Sequence, residues 1–226
     1  MQWCLHMNWA WLTPLGNAVL LAPLMAAVVL VLLWRARGQR KDVLRWPLAL
    51  LAAVAVVAAS KIAFYGFGFG VKSWNLTGYS GHAAVALAFW PVFLMLLVPV
   101  RFITLRPLLV VAGVVLGLMV GYSRIVLGAH PPSEVLVGVI LGGLVAAVGV
   151  GHLLRLELGM PVVVLLLAAM IALPLWKPEW TNMHLPSERW FARIGTELSG
   201  RDKPHRRATW LREGRPAAPN TAQPRP

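Results

Sequence analysis

Residues 121–134 read Gly-Tyr-Ser-Arg-Ile-Val-Leu-Gly-Ala-His-Pro-Pro-Ser-Glu and stand between two long apolar runs. At a predicted membrane boundary they place four polar or charged side chains: Ser123, Arg124, His130 and Glu134. An arginine, a histidine and a carboxylate in such a position are costly unless they serve a function. A second polar stretch, Thr77-Gly-Tyr-Ser-Gly-His82, also lies between apolar runs. We expect the two stretches to meet at one membrane face and to bind a phosphate.

The composition is that of a membrane protein. Of the 226 residues, 58% are hydrophobic and 13% are charged, whereas soluble domains carry roughly 25% charged residues. The net charge is +13, with ten of the 21 Lys and Arg residues in the last fifty positions and five between Arg35 and Arg45. Basic segments beside apolar spans are typical of lipid contacts or topology signals, so we do not expect nucleic-acid binding. The single cysteine, Cys4, excludes an internal disulfide framework and a Cys-rich metal site.

The apolar runs predict five or six transmembrane helices, since a helix needs about 20 residues to cross the hydrocarbon core. The predicted spans are 17–34, 46–66, 80–100, 107–123, 134–154 and a shorter 160–176. The fold class is therefore all-α, a polytopic membrane helical bundle within residues 1–176. In the basic tail, residues 177–226, the side chains of Trp180, Trp190 and Phe191 favour an interfacial helix, and disorder is expected beyond about Gly200.

The short loops predict the orientation. The segments 35–45 and 101–106, with Arg155, hold eight Lys and Arg residues on one side, which the positive-inside rule places in the cytoplasm. Both polar stretches would then face the periplasm or the outside of a bacterial-type inner membrane. The basic tail conflicts with that rule, and a sixth segment that fails to cross would instead put the tail in the cytoplasm. The start of the chain lacks a basic segment, so the first apolar run is expected to be a retained span.

Ser80-Gly81-His82 opens a predicted helix. Ser80 is a good N-cap, and the free backbone amides that follow it allow an anion to approach closely at Gly81. His82 would lie beside that anion. The alternative interpretation is a helix cap with a histidine at the membrane interface.

The later stretch supplies Arg124, which can hold two phosphate oxygens at once. Glu134 follows His130 by four residues, so on a helix its carboxylate can orient one nitrogen of the imidazole ring. One neutral histidine could then attack phosphorus while a protonated histidine donates to the leaving oxygen. A surface His–Glu pair that caps a helix is the alternative. No metal is required, and one bound by His82, His130 and Glu134 is disfavoured by the neighbouring Arg124.

These residues resemble two motifs of the type 2 phosphatidic acid phosphatase (PAP2) superfamily of membrane lipid phosphatases, whose fold is shared with vanadium haloperoxidases. The family motif Ser-Arg-x5-His-x3-Asp reads here Ser123-Arg124-x5-His130-x3-Glu134, with glutamate in place of aspartate. The motif Pro-Ser-Gly-His reads Tyr79-Ser80-Gly81-His82, with tyrosine in place of proline. The resemblance covers residues 46–154.

The first motif of that family, Lys-x6-Arg-Pro, is matched least. Lys61 fits its lysine, but Gly68 and Phe69 occupy the positions of the arginine and the proline. Lys72 could replace the missing charge, although as a point rather than a two-pronged fork.

The resemblance implies a role for each residue. His130 would be the nucleophile that forms a phosphohistidine, Glu134 would orient it, and His82 would be the general acid. Phosphate would be bound by Arg124, Ser80, the Gly81 amide and Lys61, with Lys72 as the substitute cation. No metal or other cofactor is implied.

The predicted function is hydrolysis of a phosphomonoester or diphosphate on a lipid, with membrane lipids and a lipid phosphate as partners. The departures at Glu134, at Tyr79 and in the first motif keep a second hypothesis open. In it, the chain is a weak or inactive member of the family that binds lipid phosphate or a partner protein. A transporter or channel is the third, but it would need polar residues through several spans, and the predicted spans are nearly free of them.

Overall fold

The structure, a computed structural model, describes residues 9–176 and 186–212, and the side chains of 169–176 are not considered. Within these ranges eight α-helices follow a short 3-10 helix, Trp9–Gly16. They are α1 Ala18–Arg35, α2 Arg40–Phe67, α3 Gly81–Leu97, α4 Arg106–Val126, α5 Pro132–Leu153, α6 Met160–Trp176, α7 Ser187–Ser199 and α8 Arg207–Arg212. The described ranges hold no β-strand, only an isolated bridge between Val71 and Leu76. The all-α prediction is confirmed.

Four helical segments are long and apolar enough to cross a membrane: Ala18–Arg35, Arg37–Phe67, Val100–Val126 and Pro132–Leu153. The other two apolar helices, α3 and α6, have 17 residues each, below the roughly 20 that a full crossing needs. By length and composition, the described residues therefore hold four segments that could cross a membrane, with α6 ending where the described range ends; the count of five or six spans stays a prediction. Although α3 is short, α4 and α5 pack around it and bury most of its residues.

The central helix of the bundle is α3. Its N-cap is Ser80, as predicted, and twelve of its 17 residues are buried, mainly against α4 and α5. The close approach of α5 depends on glycine: a Cβ added at Gly138 would lie 2.5 Å from the carbonyl oxygen of Ser80, and one at Gly142 would overlap that of Ala84. These two glycines therefore form a helix-packing seam between α3 and α5.

One end of the bundle carries the short basic loops. The loop after α1 is only Ala36–Gln39, and α2 begins at Arg40 rather than at the predicted Trp46. Asp42 in the first turn explains the difference, because a carboxylate stabilises a helix N-terminus and this one pairs with Arg45 at 2.6 Å.

Arg106 is completely buried at this end. Its guanidinium donates to the carbonyl oxygens of Val98 and Leu154, which lie just beyond α3 and α5. It therefore fastens the start of α4 to the ends of both neighbouring helices.

The C-terminal segment 186–212 lies at the opposite end, against α2. Gly195 of α7 packs directly on Gly66, and a Cβ on either glycine would overlap the backbone of the other helix. The backbone amide of His205 donates to the carbonyl oxygen of Tyr65 at 2.9 Å, and the indole of Trp210 donates to that of Gly68 at 2.9 Å. The tail therefore returns to the end of the bundle where α2 finishes.

This placement corrects one sequence expectation. Disorder was expected beyond about Gly200, but residues 201–212 are held by backbone contacts to α2 and by Trp210, which is buried against Phe64. The charged composition of this segment does not indicate that Trp210 is buried. Nor does it indicate that the His205 amide and the Trp210 indole donate hydrogen bonds to the end of α2. Trp190 is exposed and Phe191 is partly buried, whereas Trp180 lies outside the described residues.

Candidate functional site

A cavity of about 390 Å³ lies at the end of the bundle where α2 and α4 finish and α3 and α5 begin. Charged side chains dominate its wall. Among the residues predicted for the site it brings together Lys61, Arg124, His130 and Glu134, and it adds Tyr65, Thr77, Glu188 and Arg207. The two polar stretches of the sequence therefore meet, as predicted.

His130 and Glu134 form the pair predicted from their spacing. The imidazole Nδ1 lies 2.7 Å from Oε2 of Glu134. The Glu134 side chain is 1% exposed and that of His130 is 14% exposed. An ionised carboxylate can only accept a hydrogen bond, so Nδ1 carries a proton, and in the neutral form of the ring the lone pair is therefore on Nε2. This is the tautomer that a nucleophilic histidine requires.

The second carboxylate oxygen of Glu134 holds the loop before α3. Oε1 accepts hydrogen bonds from the backbone amides of Thr77 and Gly78, at 2.9 and 3.0 Å, and from the Thr77 hydroxyl at 2.6 Å. The glutamate thus joins the loop to His130. A buried carboxylate is costly unless its oxygens are satisfied in this way.

Lys61 reaches the cavity from the last turns of α2. Only 8% of the residue is exposed, and its aliphatic stem packs on Gly78, where an added Cβ would lie 2.8 Å from its Cγ. Its ammonium group is paired with the carboxylate of Glu188.

Arg124 reaches the cavity from the last turn of α4. Its Nη1 donates to the hydroxyl of Thr13 at 3.3 Å, in the 3-10 helix that precedes α1. Its Nε is buried and has no hydrogen-bond partner among the described residues. A guanidinium on the wall of a cavity is suited to bind an anion.

The C-terminal segment adds one cation and one anion. Arg207 of α8 donates from Nη2 to Oε1 of Glu134 at 2.5 Å and to the Thr77 hydroxyl at 2.7 Å. Glu188 of α7 accepts from the hydroxyl of Tyr65 at 2.7 Å as well as from Lys61. The cavity wall therefore holds three fixed cations and two carboxylates besides His130.

Ser80 and Gly81 lie behind the cavity rather than on its wall. The Ser80 hydroxyl is fully buried and caps α3 by accepting from the amide of Ala83 at 3.5 Å. The Ser80 amide donates to the carbonyl oxygen of Glu134 at 3.1 Å. Both residues therefore fix the start of α3 against the start of α5.

His82 and Lys72 also lie off the cavity wall. His82 is partly buried in the first turn of α3, where its Cβ packs against Gly16. The ammonium of the exposed Lys72 stands 5.3 Å from the ring centre of Trp210, a cation–π contact. Within the described residues no three His, Cys, Asp or Glu side chains are grouped so as to hold a metal ion.

Besides the apolar Phe64 and Ala129, five residues of the wall were not among the predicted site residues. Tyr65 follows Lys61 by one helical turn, and Thr77 and Gly78 precede the Ser-Gly-His stretch, so their spacing was a usable signal. Glu188 and Arg207 carried no signal, because nothing in a basic tail marks which of its charges folds back onto the bundle.

Comparison with known proteins gives two matches. Residues 66–155 match the family model described as the PAP2 superfamily. An uncharacterized 22.5 kDa protein in the cps region of Klebsiella pneumoniae is 43% identical over 138 residues, which cover 60% of this chain and 65% of that protein. The match thus spans just under two thirds of the relative's length. No solved structure matches the chain significantly.

Proposed function

We propose that this membrane protein hydrolyses a lipid phosphate or diphosphate through a phosphohistidine on His130, because residues 66–155 match the family model of the PAP2 superfamily, whose members are typically phosphatases. The observation that carries the proposal is the 2.7 Å bond between His130 Nδ1 and Glu134. In the neutral imidazole this bond puts the lone pair on Nε2, at a cavity lined by Lys61, Arg124 and Arg207.

In the first step Nε2 of His130 attacks phosphorus, and the bond from phosphorus to the lipid oxygen breaks. His82 lies off the cavity wall in the first turn of α3, so in this proposal its imidazole turns toward the cavity when substrate binds and donates a proton to that oxygen as it leaves. Developing charge on the phosphoryl oxygens is stabilised by Lys61 and by the guanidinium of Arg124.

In the second step water attacks the phosphohistidine, gives its proton to His82 and releases inorganic phosphate. The phosphorus–nitrogen bond breaks and the neutral His130 is restored. Ser80 supports the acid role of His82 indirectly. Its backbone amide donates a hydrogen bond to the carbonyl oxygen of Glu134, which holds the start of α3 against the start of α5. Ser80 and Gly81 then act by fixing the helix N-terminus, whose backbone amides attract anions.

The site is proposed to face the periplasm or the outside of a bacterial-type inner membrane. Arg35, Arg37 and Arg155 line one shallow cavity at the opposite end of the bundle. Short basic loops at one end favour the cytoplasm for that end. The segment 186–212 lies at the end of the site, so it would share the outer side despite its positive charge.

The second candidate is a silent family member that binds lipid phosphate without hydrolysing it. The observation that favours it is the ion pair between the carboxylate of Glu188 and the ammonium of Lys61. An anion-binding cavity that already contains an anion could bind substrate weakly.

The test is phosphate release by the purified full-length protein from phosphatidate, phosphatidylglycerol phosphate and undecaprenyl diphosphate, with soluble glycerol 3-phosphate for comparison. We expect release from at least one lipid and a loss of about a thousandfold or more in His130→Ala, since the nucleophile is removed. Acid-labile, base-stable labelling by radioactive substrate should disappear in the same variant. Release that is unaffected by His130→Ala would refute the mechanism. Lipid binding without release would favour the silent member.

A further inference from the structure

The only cation that the C-terminal segment 186–212 contributes to the described cavity wall is Arg207. Only one of its three guanidinium nitrogens, Nη2, has hydrogen-bond partners among the described residues, namely Glu134 and Thr77. Its side chain is 34% exposed, whereas that of Glu134 is 1% exposed. The guanidinium therefore stands between a buried carboxylate and the open part of the cavity.

The position of Arg207 matters because of the other charges on the cavity wall. Without the C-terminal segment the wall would hold Lys61, Arg124 and the carboxylate of Glu134. Arg207 offsets the charge of Glu134, so a phosphate that approaches His130 does not meet an uncompensated carboxylate. Its remaining nitrogens can donate to a phosphate oxygen, as guanidinium groups do in pairs.

We propose that Arg207 is a substrate-binding residue of this site, which α8 delivers to the phosphate group of the ligand. Three contacts fix α8 at this place. The indole of the buried Trp210 donates a hydrogen bond to the carbonyl oxygen of Gly68, and the His205 amide donates one to that of Tyr65. The Trp210 ring also packs edge-on against Phe64, with 5.5 Å between ring centres. The inference deepens the proposed function and rests on it for the identity of the ligand.

The experiment titrates inorganic phosphate into the full-length protein in lipid nanodiscs by calorimetry. Arg207→Gln keeps a hydrogen-bond donor for Glu134 and Thr77 but removes the charge. It should weaken phosphate binding about tenfold or more, because hydrogen bonds to charged groups are the strong ones. Arg206→Gln is the matched control, since Arg206 is adjacent, exposed and absent from the cavity wall, and it should bind phosphate as the wild type does.

Equal phosphate binding by Arg207→Gln and the wild type would overturn the inference, as would an equal loss in Arg206→Gln. If Arg207→Gln shows no melting transition and is therefore unfolded, phosphate binding by Arg207→Lys is the test. This variant keeps the positive charge beside Glu134 but lacks the planar guanidinium that can donate two hydrogen bonds to phosphate. Weaker binding than the wild type then supports the inference and unchanged binding refutes it. Phosphate binding that depends on Arg207 in a protein without hydrolytic activity would refute the proposed function and leave this inference standing.

A different observation, on α7, carries a second inference. The carboxylate of Glu188 is bonded to the ammonium of Lys61 and, at 2.7 Å, to the hydroxyl of Tyr65, inside the cavity that His130 lines. The close packing of Gly195 on Gly66 holds α7 at this depth. We infer that Glu188 is an internal competitor: its carboxylate occupies the place on Lys61 that the phosphate of the substrate takes, and substrate binding displaces it.

The same phosphate titration tests the competitor. Glu188→Gln keeps the shape and one acceptor but removes the charge, and it should tighten phosphate binding about two- to fivefold, the range for a half-exposed ion pair. Glu197→Gln is the control, because Glu197 lies on the same helix and pairs with Arg193 at the exposed surface. Phosphate binding by Glu188→Gln that is unchanged or weaker would overturn the inference. Gly195→Val, which pushes α7 off α2, should tighten phosphate binding in the same direction, and unchanged binding there would also count against it.

Discussion

The imidazole of His130 and the carboxylate of Glu134 are joined by a 2.7 Å hydrogen bond, and the other oxygen of the same carboxylate accepts from the amides of Thr77 and Gly78. The side chain of Glu134 thus orients the ring of His130 and also holds the loop that leads into α3. Glutamate is one methylene longer than the aspartate of the PAP2 motif, and both sets of contacts are made at that length.

Glu134→Asp is therefore expected to lower activity rather than restore it. The shorter side chain can satisfy His130 or the amides of Thr77 and Gly78, but not both at their present distances. A displacement of about 1 Å at the nucleophile costs about a hundredfold in rate. Phosphate release from the best lipid substrate, measured beside the melting temperature, checks this. A faster Glu134→Asp enzyme would show instead that the glutamate detunes the site.

The role of His82 can be separated from that of His130 by the leaving group. His82→Ala should slow hydrolysis of an alkyl lipid phosphate by about a hundredfold or more, the usual contribution of a general acid. It should slow that of p-nitrophenyl phosphate far less, because nitrophenolate departs without a proton. His152→Ala is the control, since His152 lies at the basic end of the bundle beside Arg45 and Asp42. Equal losses on both substrates in His82→Ala would exclude the acid role.

The sequence was sufficient for the parts of the site that local rules govern. The Ser80 cap, the four-residue step from His130 to Glu134 and the small-residue seam at Gly138 all follow from helix geometry, so they could be predicted. The apolar runs gave six helices at nearly their observed positions for the same reason.

The contacts of the tail could not be predicted, because they depend on a return of the chain that no local pattern encodes. Arg207 was one of ten basic residues in that tail, and only the packing of Trp210 selects it. The position of Lys72 off the cavity wall could not be predicted either, because its ammonium stands over the ring of Trp210, a residue of the same returning tail. Glu188 is a further example, as its partner Lys61 lies 127 positions earlier in the chain.

At the basic end, Arg106→Met is expected to destabilise the bundle without touching the site. The substitution leaves the carbonyl oxygens of Val98 and Leu154 without their buried donor, at a cost of about 2–4 kcal/mol for hydrogen bonds to a charged group. The loss should appear as a lower melting temperature in detergent, with phosphate binding intact at a temperature where the protein is folded. Arg101→Met, at an exposed position nearby, should leave the melting temperature almost unchanged. A stable Arg106→Met protein would show that water can replace the guanidinium.

The docking of α7 should depend on pH through Glu188. Burial acts to raise the pKa of this carboxyl, but the charge of Lys61 and hydrogen bonds from Lys61 and Tyr65 outweigh it, so the pKa lies below the ordinary 4.5. The other ionisable groups at the cavity wall are Arg124, His130, Glu134 and Arg207. Docked Glu188 therefore binds fewer protons than free Glu188. Its contribution to stability is fully present above pH 4.5 and is lost as the pH falls through the lowered pKa.

Comparison of the wild type with Glu188→Gln isolates this contribution. The wild type should melt at a higher temperature near neutral pH, and the difference should shrink as the pH falls from 4.5 through the lowered pKa, below which residue 188 is neutral in both proteins. The effect is expected to be small, since the Glu188 side chain is 54% exposed and solvent screens the pair. High salt at neutral pH should reduce the same difference. A difference in melting temperature that stays constant from neutral to strongly acidic pH would show that Glu188 stabilises α7 by its shape and not by its charge on Lys61.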